Sequence, residues 1–217
     1  PVRIRWTRDR PHELWVGDYE EGVYVSRDGH AVPTYLAAFI DCHTRYITAG
    51  RYYYRQNLDV LVDVLMRGMS VHGSPLAFYV DNAKVFHSNG LKAACYRFKI
   101  KLYYRKPRDP AGGGIIERFF RTVQDRFESE VRAGDILTLD RLNNAFSAWL
   151  AEDYHKQVHS EIHSSPESAL AKAAPVIRQV NLSSFVASFM PRYNRTVDRK
   201  FSDVRLNNRY YQISWLF

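Results

Sequence analysis

The chain has 217 residues, 46% of them hydrophobic, enough to bury a sizeable core and to exclude a disordered or fibrous polypeptide. Thirty-one Lys and Arg against 23 Asp and Glu give a formal net charge of +8, which favours a polyanionic partner and is silent about fold. Cys42 and Cys95 stand far apart with no CxxC pair, and no apolar run approaches the roughly 18 residues of a membrane span, so a disulfide framework, a cysteine zinc site and a membrane protein are all disfavoured and a cytoplasmic setting is expected.

Residues 1–12 carry Arg3, Arg5, Arg8 and Arg10 without periodicity and read as a basic arm or linker. Glu13 to Glu20 reads as a first strand interrupted by Asp18, and because Asp is depleted in strands that position asks for a reason. Val23-Tyr24-Val25 and Ala31-Val32 flank Asp28-Gly29, a hairpin signal. Tyr35 to Ile40 and Tyr46 to Tyr54 follow as two strands of an antiparallel meander, joined through Asp41-Cys42-His43-Thr44-Arg45. Asp41 falls at that turn, where Asp commonly bonds its own backbone, so it reads as structural rather than catalytic.

Asn57 caps a predicted helix in which Leu58, Leu61, Val62, Leu65, Met66 and Met69 recur at spacings of three and four, with Asp59 and Asp63 on the outer face. After the Gly73-Ser74-Pro75 break, Leu76 to Val80 is too short an apolar run for a helix and reads as a buried strand, which leaves Asp81 at its C-terminal end. Asn89 to Phe98 reads as a short helix and Ile100 to Tyr104 as another strand. Strands first, then strand and helix in alternation, predict a mixed sheet covered by helices. Lys99, Lys101, Arg105, Lys106 and Arg108 interleave with Phe98, Tyr103 and Tyr104, as a phosphate backbone and exposed bases require; placing Phe98 and Tyr103 in the core is equally compatible with the pattern.

Gly112-Gly113-Gly114 reads as a mobile loop, and Glu117 as the residue opening a helix whose Ile116, Phe119, Phe120, Val123 and Phe127 repeat at helical spacing. An acid at a strand end and an acid at a helix start can converge on a divalent cation, because hard cations prefer carboxylate oxygens; Asp18 supplies a third. Arg121 and Gln124, at i+4 and i+7, share the face of Glu117 and, with Arg118, are candidates for DNA contact. Leu137 to Tyr154 is a packing helix striped with Leu139, Leu142, Phe146, Trp149 and Leu150. His155, His159 and His163 are spaced by four, yet no Cys or acid completes a zinc set. Pro166 starts a last helix over Glu167 to Ala174. Residues 175–190 read as a linker, and a basic stretch from 191 to 217, with an Asn207-Asn208 turn, reads as a new β unit.

Asp18, Asp81 and Glu117, with 35 residues between the last two, resemble the catalytic signature of DDE transposases and retroviral-type integrases, including bacterial insertion-sequence and Mu-like transposases. The motifs are W-V-G-D, Y-V-D-N-A-K-V-F, P-R-D-P-A-G-G-G-I-I-E-R-F-F-R-T and the tail Y-H-K-Q-V-H-S-E-I-H-S-S-P-E-S-A-L, and the resemblance covers residues 13 to 172. Two positions depart from the family pattern: Ala83 stands for the usual glycine after Asp-Asn, and Gln124 for a frequent Lys. The resemblance implies an α/β, ribonuclease H-like core with a mixed five-stranded sheet flanked by helices over 13–174, followed by the start of a small β-barrel that binds DNA over 191–217. It implies 3′-end cleavage and strand transfer in DNA transposition, by two Mg2+ ions, or Mn2+ in their place, held by Asp18, Asp81 and Glu117. Arg105, Lys106, Arg108, Arg118, Arg121 and Gln124 are the expected DNA contacts. Expected partners are mobile-element ends, target DNA and further copies of the chain, with an ATPase for target selection left open, and the expected location is the bacterial nucleoid. A hydrolytic nuclease on the same fold and a non-catalytic DNA-binding module are the alternatives, since fold alone does not decide between them. The start at Pro1 and the end at Trp215-Leu216-Phe217 are read as those of a piece of a longer protein.

Overall fold

A computed structural model describes residues 8–106, 110–173, 178–190, 196–198, 200–206 and 208–213. The first strand, β1 (Trp15–Glu21), alternates its side chains between two buried faces. A separate hairpin follows, β2 (Val25–Arg27) and β3 (His30–Val32), turning through Asp28 and Gly29, both at positive φ, as the Asp-Gly pair predicts. Next, β4 (Tyr35–Asp41) and β5 (Ile47–Tyr53) complete the meander, and the register sets Asp18 opposite Ala38. Asp41 is fully buried at the turn, where its carboxylate accepts hydrogen bonds from the His12 and Thr44 N–H groups, each at 2.8 Å, and from the Thr44 hydroxyl at 2.7 Å. It caps the turn, as the sequence reading holds.

Helix α1 (Leu58–His72) begins where the Asn57 side chain accepts from the Val60 N–H, and crosses the sheet to β6 (Ala77–Val80). Helix α2 (Asn89–Arg97), capped by Ser88, returns the chain to β7 (Lys101–Tyr104). The five-stranded sheet runs β5-β4-β1-β6-β7, antiparallel on the meander side and parallel from β1 through β6 to β7. Two apolar clusters sandwich it. One packs Trp15, Phe39, Phe78 and Val80 beneath α1 and α2; the other packs Val16, Ala38, Ile40 and Tyr79 beneath the later helices.

The later helices correct one expectation. Helix α3 spans Pro110–Thr122, so Gly112, Gly113 and Gly114 lie inside a helix rather than in a loop, and Glu117 stands two turns in. Proline is favoured at the first helical turn, and Ile115, Ile116, Phe119 and Phe120 bury one face, which outweighs the poor helix propensity of three glycines. The helix continues through a wide turn at Val123–Glu128 into α4 (Ser129–Ala133). Helix α5 (Leu139–Trp149), capped by Thr138, lies beside it and ends in a second wide turn at Leu150–Tyr154. The short α6 (Pro166–Lys172) follows with Ser165 as its cap. Within 175–190, helix α7 (Leu182–Ala187) seats a fully buried Phe185 against Phe98, and Arg178 donates to the carbonyls of Pro75 and Phe98 at 3.1 and 2.7 Å. Strands β8 (Asp203–Leu206) and β9 (Arg209–Gln212) form a two-stranded hairpin turning through Asn208 at positive φ. Among the described residues no helix is long and apolar enough to cross a membrane.

Candidate active site

The sheet register assembles the site. Parallel pairing sets Gly17 level with Val80, so the next residues, Asp18 and Asp81, emerge side by side on adjacent strands. Alternation then fixes the face: Val16 and Tyr79 sit in the α3 cluster, and Asp18 and Asp81, two residues on, follow them. On the next strand Tyr103 is level with Tyr79, which brings Arg105 to the same face beside Asp81. Glu117 comes from α3 above. The Arg105 guanidinium lies between the two elements, donating from Nη1 to Glu117 at 2.9 Å and from Nη2 to Asp18 at 3.2 Å.

The backbone around these groups is fixed. The Arg105 N–H donates to the Val80 carbonyl at 2.8 Å, and the Asn82 side-chain amide donates to the Arg105 carbonyl at 2.6 Å. Asp81 accepts from the Ala83 N–H at 2.8 Å, and Asp18 from the Tyr19 N–H at 2.8 Å. Burial, and then the negative charge of Asp81, push the Asp18 carboxyl up to about 6. Burial followed by the charges of Asp81 and Asp18 also raises Tyr19, whose hydroxyl is buried beneath the pair without a hydrogen-bond partner. The site is therefore short of positive charge. Three oxygen-donor carboxyls suit a hard divalent cation. Among the described residues, however, no three His, Cys, Asp or Glu side chains are grouped closely enough to hold a metal ion.

The other candidates fall into three groups. Lys106 and Arg121 are exposed, and the Arg121 side chain makes no ion pair or hydrogen bond among the described residues. Arg118 and Gln124 are engaged within the chain: Arg118 pairs with Glu161 and donates to the Gly114 carbonyl at 3.1 Å, while Gln124 donates to Glu20 at 2.5 Å. Arg108 lies outside the described residues. Of the interleaved aromatics, Phe98 packs beneath α7 while Tyr103 is 44% exposed on the edge strand. Glu161, which the sequence reading passed over, also takes a 3.0 Å hydrogen bond from the nearly buried Arg45 and so ties the histidine-rich tail to the helix of Glu117.

Comparison with solved structures gives the fold. A chain of the simian T-cell lymphotropic virus intasome, solved in complex with PP2A regulatory subunit B56 gamma, superposes with a TM-score of 0.69 at 18% identity, covering 83% of this chain and 62% of that one. The HTLV-2 integrase catalytic core domain, solved in complex with magnesium, superposes with a TM-score of 0.59 at 17% identity, covering 74% of this chain and 97% of that one. This is the integrase catalytic core fold. The ribonuclease H-like expectation holds, with its mixed five-stranded sheet and flanking helices.

In sequence, the family model of the TnsB C-terminal domain matches residues 62–133, which include Asp81 and Glu117. The transposase for transposon Tn552 of Staphylococcus aureus is 27% identical over a 185-residue alignment that covers 76% of this chain. The chain spans 38% of that transposase's length. The resemblance to DDE transposases and integrases thus holds in both sequence and integrase-core fold.

Proposed function

We propose that this chain is the catalytic core of a DNA transposase or integrase that cuts DNA to expose a 3′-hydroxyl and joins that hydroxyl to a target strand, with Asp18, Asp81 and Glu117 holding divalent metal. The observation that carries the reading is the convergence of these three acids on one face of the sheet, two from adjacent parallel strands and one from α3. The magnesium in the HTLV-2 core supports the choice of ion. Asp18, Asp81 and Glu117 would hold two such ions, which when bound would supply the charge to activate an attacking oxygen and steady a leaving one.

The protein's own part is positioning. Strands β1 and β6 are paired inside the sheet, so Asp18 and Asp81 are set side by side before substrate arrives, and α3 presents Glu117 from a helix that buries Ile115, Ile116, Phe119 and Phe120. Exposed Lys106 and Arg121, together with Arg108, are assigned to phosphates flanking the reacting bond. Arg118 and Gln124 support DNA binding indirectly, by holding α3 against the tail and β1. The similarity to an intasome chain supports assembly of several copies on DNA, with the nucleoid as the setting. Among the described residues no feature assigns an ATPase partner.

The protein containing this core, incubated with Mg2+, element-end DNA and a target plasmid, is expected to yield joined products. Glu117→Gln and Asp81→Asn are expected to lose cutting and joining while still binding DNA. Cut products released without joining would reassign the site to a hydrolytic nuclease. Full activity in either variant would remove that residue from the chemistry.

A further inference from the structure

The Arg105 guanidinium occupies the place where the acids call for a cation. Its two terminal nitrogens take one oxygen each from Asp18 and Glu117, and its backbone is fixed at both N–H and carbonyl, so only the side chain is free to move. Its Nε is buried without a partner, so the bridge is not the fully satisfied arrangement expected of a permanent structural ion pair. Gly113 makes room for it: a Cβ there would fall 2.4 Å from the guanidinium carbon and 2.5 Å from the Glu117 oxygen that Arg105 holds. A guanidinium fork is matched to two oxygens, and it exchanges one pair of acceptors for another without losing charge.

We propose that Arg105 is a metal-gating residue: in the core by itself it competes with divalent metal for Asp18 and Glu117, and metal enters only as its side chain swings out. This rests on the reading that the three carboxylates hold metal. Glu117 is the acid that moves. It is 57% exposed on its side chain against 16% for Asp18, and among the described residues its side chain makes no other hydrogen bond or ion pair. Asp18 and Asp81 stay where the strands put them. The device keeps an unassembled core poor in metal. It also spares the site the repulsion of three uncompensated carboxylates.

The test is a Mn2+ titration of the chain without DNA, followed by the electron paramagnetic resonance signal of free Mn2+. Arg105→Gln is expected to bind Mn2+ about tenfold more tightly than the unaltered chain, or about 1.4 kcal/mol. Arg105→Lys keeps the charge but lacks the fork, and is expected to recover most of that gain; it also carries the test if Arg105→Gln does not melt cooperatively. Lys106→Gln removes an exposed neighbouring charge and is expected to change affinity by less than about twofold, in line with a screened surface charge. Asp81→Asn is expected to abolish the binding in every background. Equal, Asp81-dependent affinity in the unaltered chain and Arg105→Gln would overturn the gate and leave the metal reading standing. A gain in Lys106→Gln as large as in Arg105→Gln would overturn the gate as a general charge effect. Absence of Asp81-dependent binding even in Arg105→Gln would overturn both.

Discussion

The Tyr52 hydroxyl donates a 2.8 Å hydrogen bond to Glu128, and both side chains are fully buried. Tyr52 belongs to β5, and Glu128 to the continuation of the helix that carries Glu117, so the bond joins the sheet to the element presenting the third acid. Burial raises the Glu128 carboxyl, while the hydrogen bonds from Tyr52 and Arg132 oppose that shift. Tyr52→Phe leaves a buried carboxyl one donor short and is expected to cost about 1–3 kcal/mol of folding stability, read from urea denaturation. A cost below about 0.5 kcal/mol would show that the bond does not hold the helix.

Gly17, immediately before Asp18, faces Phe39 across the β1–β4 pair. A Cβ at Gly17 would fall 2.1 Å from the Phe39 ring, which is itself buried against Phe78. Gly17→Ala is therefore expected to destabilise the fold by about 1–3 kcal/mol through overpacking. Combining it with Phe39→Leu should return part of the loss in the same thermal melt, because Leu lacks the ring edge that clashes. No recovery would mean that the glycine is needed for the backbone and not for the ring.

Acid sensitivity should centre on two histidines, His155 and His72, outside the three-acid site. His155 stacks on Tyr46 with ring centres 3.7 Å apart and accepts a 3.2 Å hydrogen bond from the Ile47 N–H; His72 packs edge-on to the same tyrosine. Burial, and then each one's neighbouring histidine, lower both from 6.5 to about 4. Below pH 6.5 the unfolded chain takes up these protons and the folded chain does not, so stability is present above that pH and falls as pH drops towards 4. The buried His155 accounts for a loss of up to about 3 kcal/mol across the window, following 1.36 kcal/mol per unit. His155→Gln, which keeps an acceptor for Ile47, should flatten the dependence of the urea midpoint on pH between 7 and 4.5 by about one proton. An unchanged slope would assign the acid sensitivity elsewhere.

Much of this site was legible in the sequence because it follows from local signals. A short apolar run ending in Asp81, an Asp inside a strand and an amphipathic helix after Glu117 are each readable from spacing, and the sheet register brings Asp18 and Asp81 together as those signals imply. The three glycines misled because local propensity argued for a loop, whereas the burial of Ile115, Ile116, Phe119 and Phe120 is a tertiary effect that recruits them into α3. From the sequence Arg105 is expected to contact DNA, whereas its side chain turns onto the acids. Its contact with Asp18 spans 87 positions and depends on β7 pairing in parallel with β6, a register visible only once the strands are aligned. Arg118 and Gln124 were placed on the right helix, but their acceptors, Glu161 and Glu20, come from remote segments. The role of Glu161 carried no sequence signal, because nothing local marks an acid that meets two arginines from other elements.

The central claim is that Asp18, Asp81 and Glu117 form a divalent-metal site. Its most direct test is anomalous scattering from crystals of the chain and of Arg105→Gln soaked in Mn2+. The expected result is an anomalous peak flanked by Asp18 and Asp81, with Glu117 turned towards it and, in the unaltered chain, Arg105 displaced. An ordered site with no anomalous density at saturating Mn2+ in either crystal would contradict the account.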